Sequence, residues 1–423
     1  MEKLLSILFV ILFSTPSFGA KILIPMDETE QENHLKAYGI AYSVLAKQYK
    51  VNWLLNYKGG SFVFDQVQEF ENECKIRGVS YEIIPEAKYT KILEEIADPD
   101  VNMDIIQLEK PPKIAVYTPD GKLPWDDAVT MVLTYAEIPF DKVYDDELLD
   151  DKLVKYDWLH LHHEDFTGQY GKFYAAYNTA DWYIIDKKKN EDMAKKHGFS
   201  KVSQLKLAIS KKIKDFVIGG GYLFAMCSAT DSYDIALAAE GTDICAAMFD
   251  GDAADPNAQN KLDYSKSLAF KDFKLVGNPY EYEYSDIDMT QVRRVPFNSD
   301  YFTLFTFSAK FDPIPSMLCQ NHTTTVKGFM GQTTSFKSSL IKSSTTILGE
   351  NKSVDEARYI HGDLGKGTWT FYGGHDPEDF QHQVGDPPTD LNLHPNSPGY
   401  RLILNNILFP ELKRNHKKHN LNI

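Results

Sequence analysis

Cysteine is scarce in this chain, and no two cysteines show the C-x-x-C spacing. The 423 residues contain four of them, Cys74, Cys227, Cys245 and Cys319. Being so few and so widely scattered, they exclude a disulfide-rich scaffold. We expect at least one free thiol, and Cys227 is the candidate.

A hydrophobic stretch long enough to cross a bilayer is also missing, since a membrane helix needs about 20 apolar residues. Residues 4–13 are apolar apart from one serine, and Lys3 precedes them. Pro16 then breaks the helix, and small residues follow at the end of segment 17–20, which is typical of a cleavable export signal. We therefore expect residues 1–19 to be a signal peptide, the mature protein to be periplasmic or secreted, and no stable membrane insertion after cleavage.

Basic residues are in deficit. The chain has 45 Lys and Arg against 60 Asp and Glu, a net charge of −15. This excludes nucleic acid or an anionic membrane surface as the main partner. The basic tail at 411–423 is expected to be a frayed, solvated end. A small-molecule ligand is the partner we expect, and the sequence leaves the oligomeric state open.

The first part of the chain alternates strands with helices, which favours βαβ units and a parallel sheet. Residues 20–95 are therefore predicted to form an N-terminal α/β domain, with 95–112 as a linker. The predicted strands are 21–25, 51–55 and 81–84, and the predicted helices are 33–47 and 66–77.

A second α/β domain is predicted for residues 113–410. It is interrupted by a polar, aromatic insertion at 164–199 and by a loop-rich, β-leaning insertion at 250–350. Its predicted strands are 113–117, 142–144, 156–161, 222–226, 357–361 and 368–372, and its predicted helices are 125–136, 202–216 and 400–409.

One strand ends in a candidate nucleophile. Residues 219–229 read Gly-Gly-Gly-Tyr-Leu-Phe-Ala-Met-Cys-Ser-Ala, with Cys227 between a strand and a helix. A nucleophile elbow needs small residues two before and two after the reactive residue, and Ala225 and Ala229 fill these places. The alternative is an ordinary buried cysteine at the end of an apolar strand.

A second segment contains the last predicted strand. Residues 365–378 contain a Gly-Lys-Gly turn, a strand, and then Gly-His-Asp-Pro-Glu ending at Glu378. Together with the Cys227 segment, this string resembles the class I glutamine amidotransferase-like fold, a flavodoxin-like open parallel sheet, and within it the ThuA-like branch. The resemblance covers about 113–235 and 355–410.

The resemblance implies a set of catalytic roles. Cys227 would be the nucleophile, His375 the base and Glu378 the residue that orients the base. Backbone N–H groups near Ser228 would stabilise the oxyanion. His394, which is followed by proline, is a second candidate for the base.

Polar residues also end a neighbouring strand, at His162, His163 and Glu164. In open parallel sheets, sites gather beyond the carboxyl ends of strands, so these residues are expected near Cys227 and His375. We expect them to bind the ligand together with Ser228 and Asp376. Two histidines beside a carboxylate could also bind a metal, although adjacent side chains on a strand point to opposite faces.

The whole chain is similar to exported bacterial proteins labelled asparagine synthetase B. Such a synthetase needs an N-terminal cysteine and a glycine-containing pyrophosphate loop, and residues 227–232 lack both glycines. The leading hypothesis is therefore an extracytoplasmic amidotransferase-like protein that binds or hydrolyses a small sugar or amide. It requires no cofactor and no metal. The alternatives are a non-catalytic carbohydrate-binding module, a synthetase-like protein and a metal-dependent hydrolase.

Overall fold

The computed structural model describes residues 19–120, 124–381 and 383–410. The predicted signal peptide, apart from Gly19, and the predicted basic tail lie outside these residues. None of the described helices has the length and apolar character needed to cross a membrane.

The described strands are labelled in chain order. They are β1 (Lys21–Ile24), β2 (Val51–Leu55), β3 (Ser61–Asp65), β4 (Glu82–Ile84), β5 (Asp104–Leu108), β6 (Ile114–Tyr117), β7 (Asp141–Val143), β8 (Trp158–Leu161), β9 (Tyr222–Met226), β10 (Tyr301–Leu304), β11 (Thr325–Lys327), β12 (Phe336–Lys337), β13 (Thr346–Asn351), β14 (Glu356–Leu364) and β15 (Gly367–Tyr372).

The α-helices are labelled in the same way. They are α1 (His34–Ala46), α2 (Gln68–Arg77), α3 (Glu86–Ala97), α4 (Ala128–Tyr135), α5 (Asp145–Leu149), α6 (Tyr174–Tyr177), α7 (Asp181–Lys196), α8 (Val202–Gly219), α9 (Asp231–Ala238), α10 (Ala247–Asp250), α11 (Ala258–Lys261), α12 (Pro313–Leu318) and α13 (Pro398–Leu408).

The first sheet has the order β4-β1-β3-β2-β5, and every neighbouring pair in it is antiparallel. The prediction of a parallel sheet here was wrong. The cause is strand β3, which follows β2 through a tight turn at 56–60 with left-handed backbone at Asn56 and Gly60. Residues 95–112 are also more than a linker, because β5 pairs with β2 at the edge of this sheet.

The second sheet is mixed. Its order is β11-β10-β13-β14-β15-β9-β8-β6-β7, with β12 paired to β14. Strands from β15 to β7 run parallel to their neighbours, and those from β11 to β15 run antiparallel. The α/β class is therefore confirmed, but the expectation of wholly parallel sheets was wrong because segment 250–350 adds short antiparallel strands.

Alternate residues of the parallel strands face two hydrophobic cores. On one face Val116 and Phe224 pack with α1, α4 and α13. On the other face Leu159 and Ala225 pack with α8 and α9. Strands buried on both faces read as continuous apolar runs, which explains why β9 was easy to locate in the sequence.

Helix α13 also contacts the first sheet. Arg401 is fully buried there, and it donates hydrogen bonds to the carbonyls of Met26 (3.1 Å) and Gly59 (2.5 Å). Beside it, the rings of His34 and His322 stack at 4.2 Å between centroids. Burial and the Arg401 charge lower the pKa of His34 to about 4 and that of His322 to about 3.

This stack predicts acid sensitivity. Both histidines stay neutral in the folded protein, whereas the unfolded chain takes up protons below about pH 6.5. Their contribution to stability is therefore complete above that pH and is lost as the pH falls toward 4. Acid lowers the free energy of unfolding of the wild type, and we expect His322→Gln to reduce this loss by about 3 kcal/mol or more. Urea denaturation at a series of pH values from neutral to acidic measures the free energy of unfolding. His197→Gln, at a partly buried histidine outside the stack, is the control, and parallel losses in wild type and His322→Gln would contradict the assignment.

Candidate active site

Three adjacent parallel strands end at the same edge of the second sheet. Leu161 of β8 lies opposite Ala225 of β9, and Met226 of β9 lies opposite Tyr372 of β15. The chain segments that follow are joined by backbone hydrogen bonds, from Ala229 N to His162 O (2.9 Å) and from Cys227 N to Gly374 O (3.2 Å). The predicted convergence of these strand ends is thus present in the structure.

Cys227 occupies a sharp turn between β9 and α9. Its φ is +54°, in the left-handed region that residues other than glycine rarely adopt. This conformation costs roughly 1–2 kcal/mol. Ala225 and Ala229 on either side are fully buried, as an elbow requires. Such strain, held in place by a buried strand and helix, is characteristic of functional positions.

The thiol of Cys227 is almost completely enclosed. Burial raises its pKa to about 12, while the backbone N–H groups of Ser228 and Gln332, which point at the sulfur, act in the opposite direction. At neutral pH the resting thiol is therefore protonated. A nucleophilic role would require proton transfer during the reaction rather than a preformed thiolate.

Three histidines form a compact cluster beside the elbow. The His162 ring centroid lies 4.7 Å from that of His163 and 4.4 Å from that of His375. Each residue offers one ring nitrogen, and these three atoms lie within 4.8 Å of one another. Strand β8 has ended at Leu161, so the alternation of a strand no longer separates the side chains of His162 and His163.

Two aspartates face this cluster. The Asp126 carboxylate lies 3.0 Å from His375 Nε2. Asp127 caps helix α4 and lies 3.3 Å from both His160 Nε2 and His162 Nδ1. Burial lowers the pKa of His375, with His162 adding to the effect. Burial alone would raise the pKa of Asp127, but the facing His160 and His162 hold it well below its usual range.

The cluster and the elbow open into one cavity of about 860 Å³. Cys227, His163 and His375 line it together. Much of the remaining wall is aromatic, contributed by Trp125, Phe173, Tyr177, Tyr282, Phe297 and Phe380. Large aromatic faces beside a few convergent polar groups are typical of small-molecule sites.

Several predicted site residues make contacts other than those expected from the sequence. Glu378 contacts His394, with 3.1 Å between Oε2 and Nδ1. The carboxylate of Asp126 contacts His375 instead. Glu164 lines a smaller adjoining pocket that shares His163 with the main cavity, and burial raises the pKa of Glu164 to about 8. Asp376 is fully buried and accepts from the backbone N–H of Glu378 at 2.9 Å.

Other predictions are met in part. Ser228 is buried beside the thiol, and its hydroxyl oxygen has no partner among the described residues. Within the same residues no hydrogen bond joins the Cys227 thiol to a histidine. All four cysteines are free and buried, as expected for a chain that is not a disulfide scaffold.

Sequence reasoning missed Asp126, Asp127 and Gln332. The two aspartates lie between β6 and α4, at the start of the helix predicted for residues 125–136, and their position in this strand-to-helix connection was the only signal. Gln332 lies in the segment predicted as an insertion, and it reaches the site only through tertiary folding. No local pattern pointed to it.

No family model matches this sequence, and no curated protein matches it. Solved structures align with it at low similarity. Cytoplasmic Protein STM3548 from Salmonella typhimurium aligns over 70% of this chain and 97% of its own, with 10% identity and a TM-score of 0.34. Cytoplasmic Protein STM1381 from Salmonella typhimurium LT2 aligns over 70% and 98%, with 12% identity and a TM-score of 0.34. Gan42B, a GH42 beta-galactosidase from G. stearothermophilus, aligns over 63% and 28%, with 10% identity and a TM-score of 0.28.

These comparisons contradict the predicted periplasmic or secreted location. Both Salmonella proteins are described as cytoplasmic, the opposite of the location that residues 1–20 led us to expect. A short apolar stretch after one lysine does not by itself specify export. We therefore withdraw the prediction and assign no location.

Proposed function

We propose that this protein is a cysteine-dependent hydrolase of a small polar amide or ester, built on a class I glutamine amidotransferase-like fold. The left-handed backbone of Cys227, at the end of a buried strand and open to the aromatic cavity, carries the proposal. An unreactive buried cysteine has no need of this strained conformation.

The strand order supports the fold part of the proposal. The parallel strands lie in the order β7-β6-β8-β9-β15. Numbered along the chain, this is 2-1-3-4-5, the flavodoxin-like order. In such sheets ligands bind where the strand order reverses, here between β6 and β8. The loops after these two strands carry Asp126, His162 and His163.

In the proposed reaction the Cys227 sulfur attacks the carbonyl carbon while its proton passes to His375. The S–C bond forms, the C–N or C–O bond breaks, and the amine or alcohol leaves with that proton. Water then attacks the thioester, which releases the acid and restores the thiol. Asp126 orients His375, and the N–H groups of Ser228 and Gln332 stabilise the oxyanion.

Acylation by p-nitrophenyl acetate tests this proposal. We expect a burst of nitrophenol close to one per chain, and an acetyl group on the peptide that contains Cys227. Cys245→Ser removes a buried thiol outside the cavity and is expected to keep the burst. No burst, or acetylation only at other residues, would overturn the proposal.

A non-catalytic carbohydrate-binding module is the second candidate, and the aromatic cavity wall favours it. Aromatic rings present flat apolar faces on which sugar rings pack. A change in tryptophan fluorescence on addition of mono- or disaccharides, in a protein that shows no acylation burst, would support this candidate instead.

A further inference from the structure

We propose that His162, His163 and His375 form a binding site for Zn²⁺. The first support is the donor set itself. Three imidazoles from two places in the chain, the segments after β8 and after β15, present nitrogens within 4.8 Å of one another. Three histidines with an open fourth position are a known zinc coordination set, with Zn–N distances of about 2.0–2.1 Å.

The second support is the lack of hydrogen-bond partners, among the described residues, for ring nitrogens of His162 and His163. His162 Nε2 and His163 Nδ1 are buried and make no hydrogen bond to any described residue. A buried polar atom left without a partner costs about 1–3 kcal/mol. Such atoms, in a cluster whose ligand nitrogens lie within 4.8 Å of one another, are explained by a cation that accepts their lone pairs.

The third support is a pair of carboxylates behind the ligands. Histidines that bind a metal usually direct their other ring nitrogen at a carboxylate, which fixes the ring and increases its basicity. His375 Nε2 lies 3.0 Å from Asp126 Oδ1. His162 Nδ1 lies 3.3 Å from Asp127 Oδ1, close enough for a charge contact although too misaligned for a hydrogen bond.

The surroundings also hold the cluster in place. Trp125 packs edge-on against His163, with 5.1 Å between ring centroids, and both residues line the cavity. The open coordination position would therefore be available to water or to a ligand that enters the cavity. Nitrogen ligands without thiolate or multiple carboxylates favour Zn²⁺ over Ca²⁺ or Mg²⁺.

Zinc and thiol chemistry would compete for one residue. His375 cannot donate its lone pair to a metal and accept the Cys227 proton at the same time. The zinc-bound protein and the thiol-active protein are thus alternative states of one site. The two proposals also fail separately, because zinc binding requires neither the thiol nor turnover.

Zinc titration of the full chain, after metal is removed with a chelator, tests the inference. We expect one Zn²⁺ per chain by calorimetry and elemental analysis, and a rise in melting temperature. Cys227→Ser is expected to bind as the wild type does. His163→Ala and His162→Ala are expected to lose binding, while His197→Ala, outside the cluster, keeps it. Asp126→Asn is expected to weaken binding about 10–100-fold, because Asp126 positions His375 without touching the metal.

Spectroscopy with Co²⁺ gives an independent readout. Co²⁺ in the wild type is expected to show the visible bands of tetrahedral nitrogen coordination, and these bands are expected to be absent from a folded His163→Ala variant. Substoichiometric Zn²⁺ in the wild type would overturn the inference. Unchanged affinity in both His162→Ala and His163→Ala would do the same.

Discussion

Replacing Cys227 by alanine is expected to abolish hydrolysis while leaving the protein folded. Loss of a nucleophile lowers turnover by on the order of 10³-fold or more, because the reaction loses its covalent step. Alanine keeps the Cβ atom and meets the same backbone strain at φ +54° as cysteine does. We therefore expect the melting temperature to stay within a few degrees. Steady-state hydrolysis of p-nitrophenyl acetate and thermal unfolding measure the two effects.

The control for this variant is Cys245→Ser. Cys245 is a second buried free thiol, and its sulfur lies 3.3 Å from the Thr167 carbonyl, outside the cavity. It is expected to keep the wild-type rate. A folded Cys227→Ala protein with full activity would rule out the nucleophile and leave the cavity as a binding site.

The second large effect concerns stability. Arg293 is buried between two carboxylates, with N–O distances of 2.8 Å to Asp300 and 3.0 Å to Glu356. Arg358, the other nearby cation, lies 3.9 Å from Asp300. Replacing Arg293 by methionine leaves two buried charges without their main partner. We expect a loss of about 3–5 kcal/mol in the free energy of unfolding, measured by urea denaturation.

The adjacent arginine is a matched control. Arg294 is exposed and, among the residues that the structure describes, donates to the backbone carbonyls of Gln291 and Arg293. We expect Arg294→Met to change stability by less than about 0.5 kcal/mol. Equal effects of the two substitutions would show that the buried carboxylates are not what Arg293 stabilises.

The sequence was most informative where a strand is buried on both faces. Strand β9 and helix α8 were located closely because an apolar run and a 3.6-residue repeat are each bounded by glycines. The same signals placed Cys227 and His375 at one sheet edge. Strand direction is a different matter, because a short apolar run reads the same in a parallel and in an antiparallel sheet. Because β3 was not predicted, the strands of the first sheet were wrongly expected to run parallel.

Side-chain partners were harder to predict than side-chain positions. The resemblance to class I amidotransferases implied that Glu378 orients His375, but the turn after β15 directs Glu378 to His394. Asp126 reaches His375 from a loop 249 residues away. Pairing across such distances depends on how the loops fold over the sheet, and this leaves no trace in local spacing.

The contacts of helix α13 have a consequence for biosynthesis. Strands β1 to β5 are complete at Leu108, yet the carbonyls of Met26 and Gly59 receive their donor from Arg401. Asn405 likewise pairs with Tyr38. The beginning of the polypeptide therefore emerges from the ribosome long before the residues that complete its packing. Folding of this chain can finish only after translation has reached its last helix, and a premature stop before α13 would leave the first sheet without the helix that packs against it.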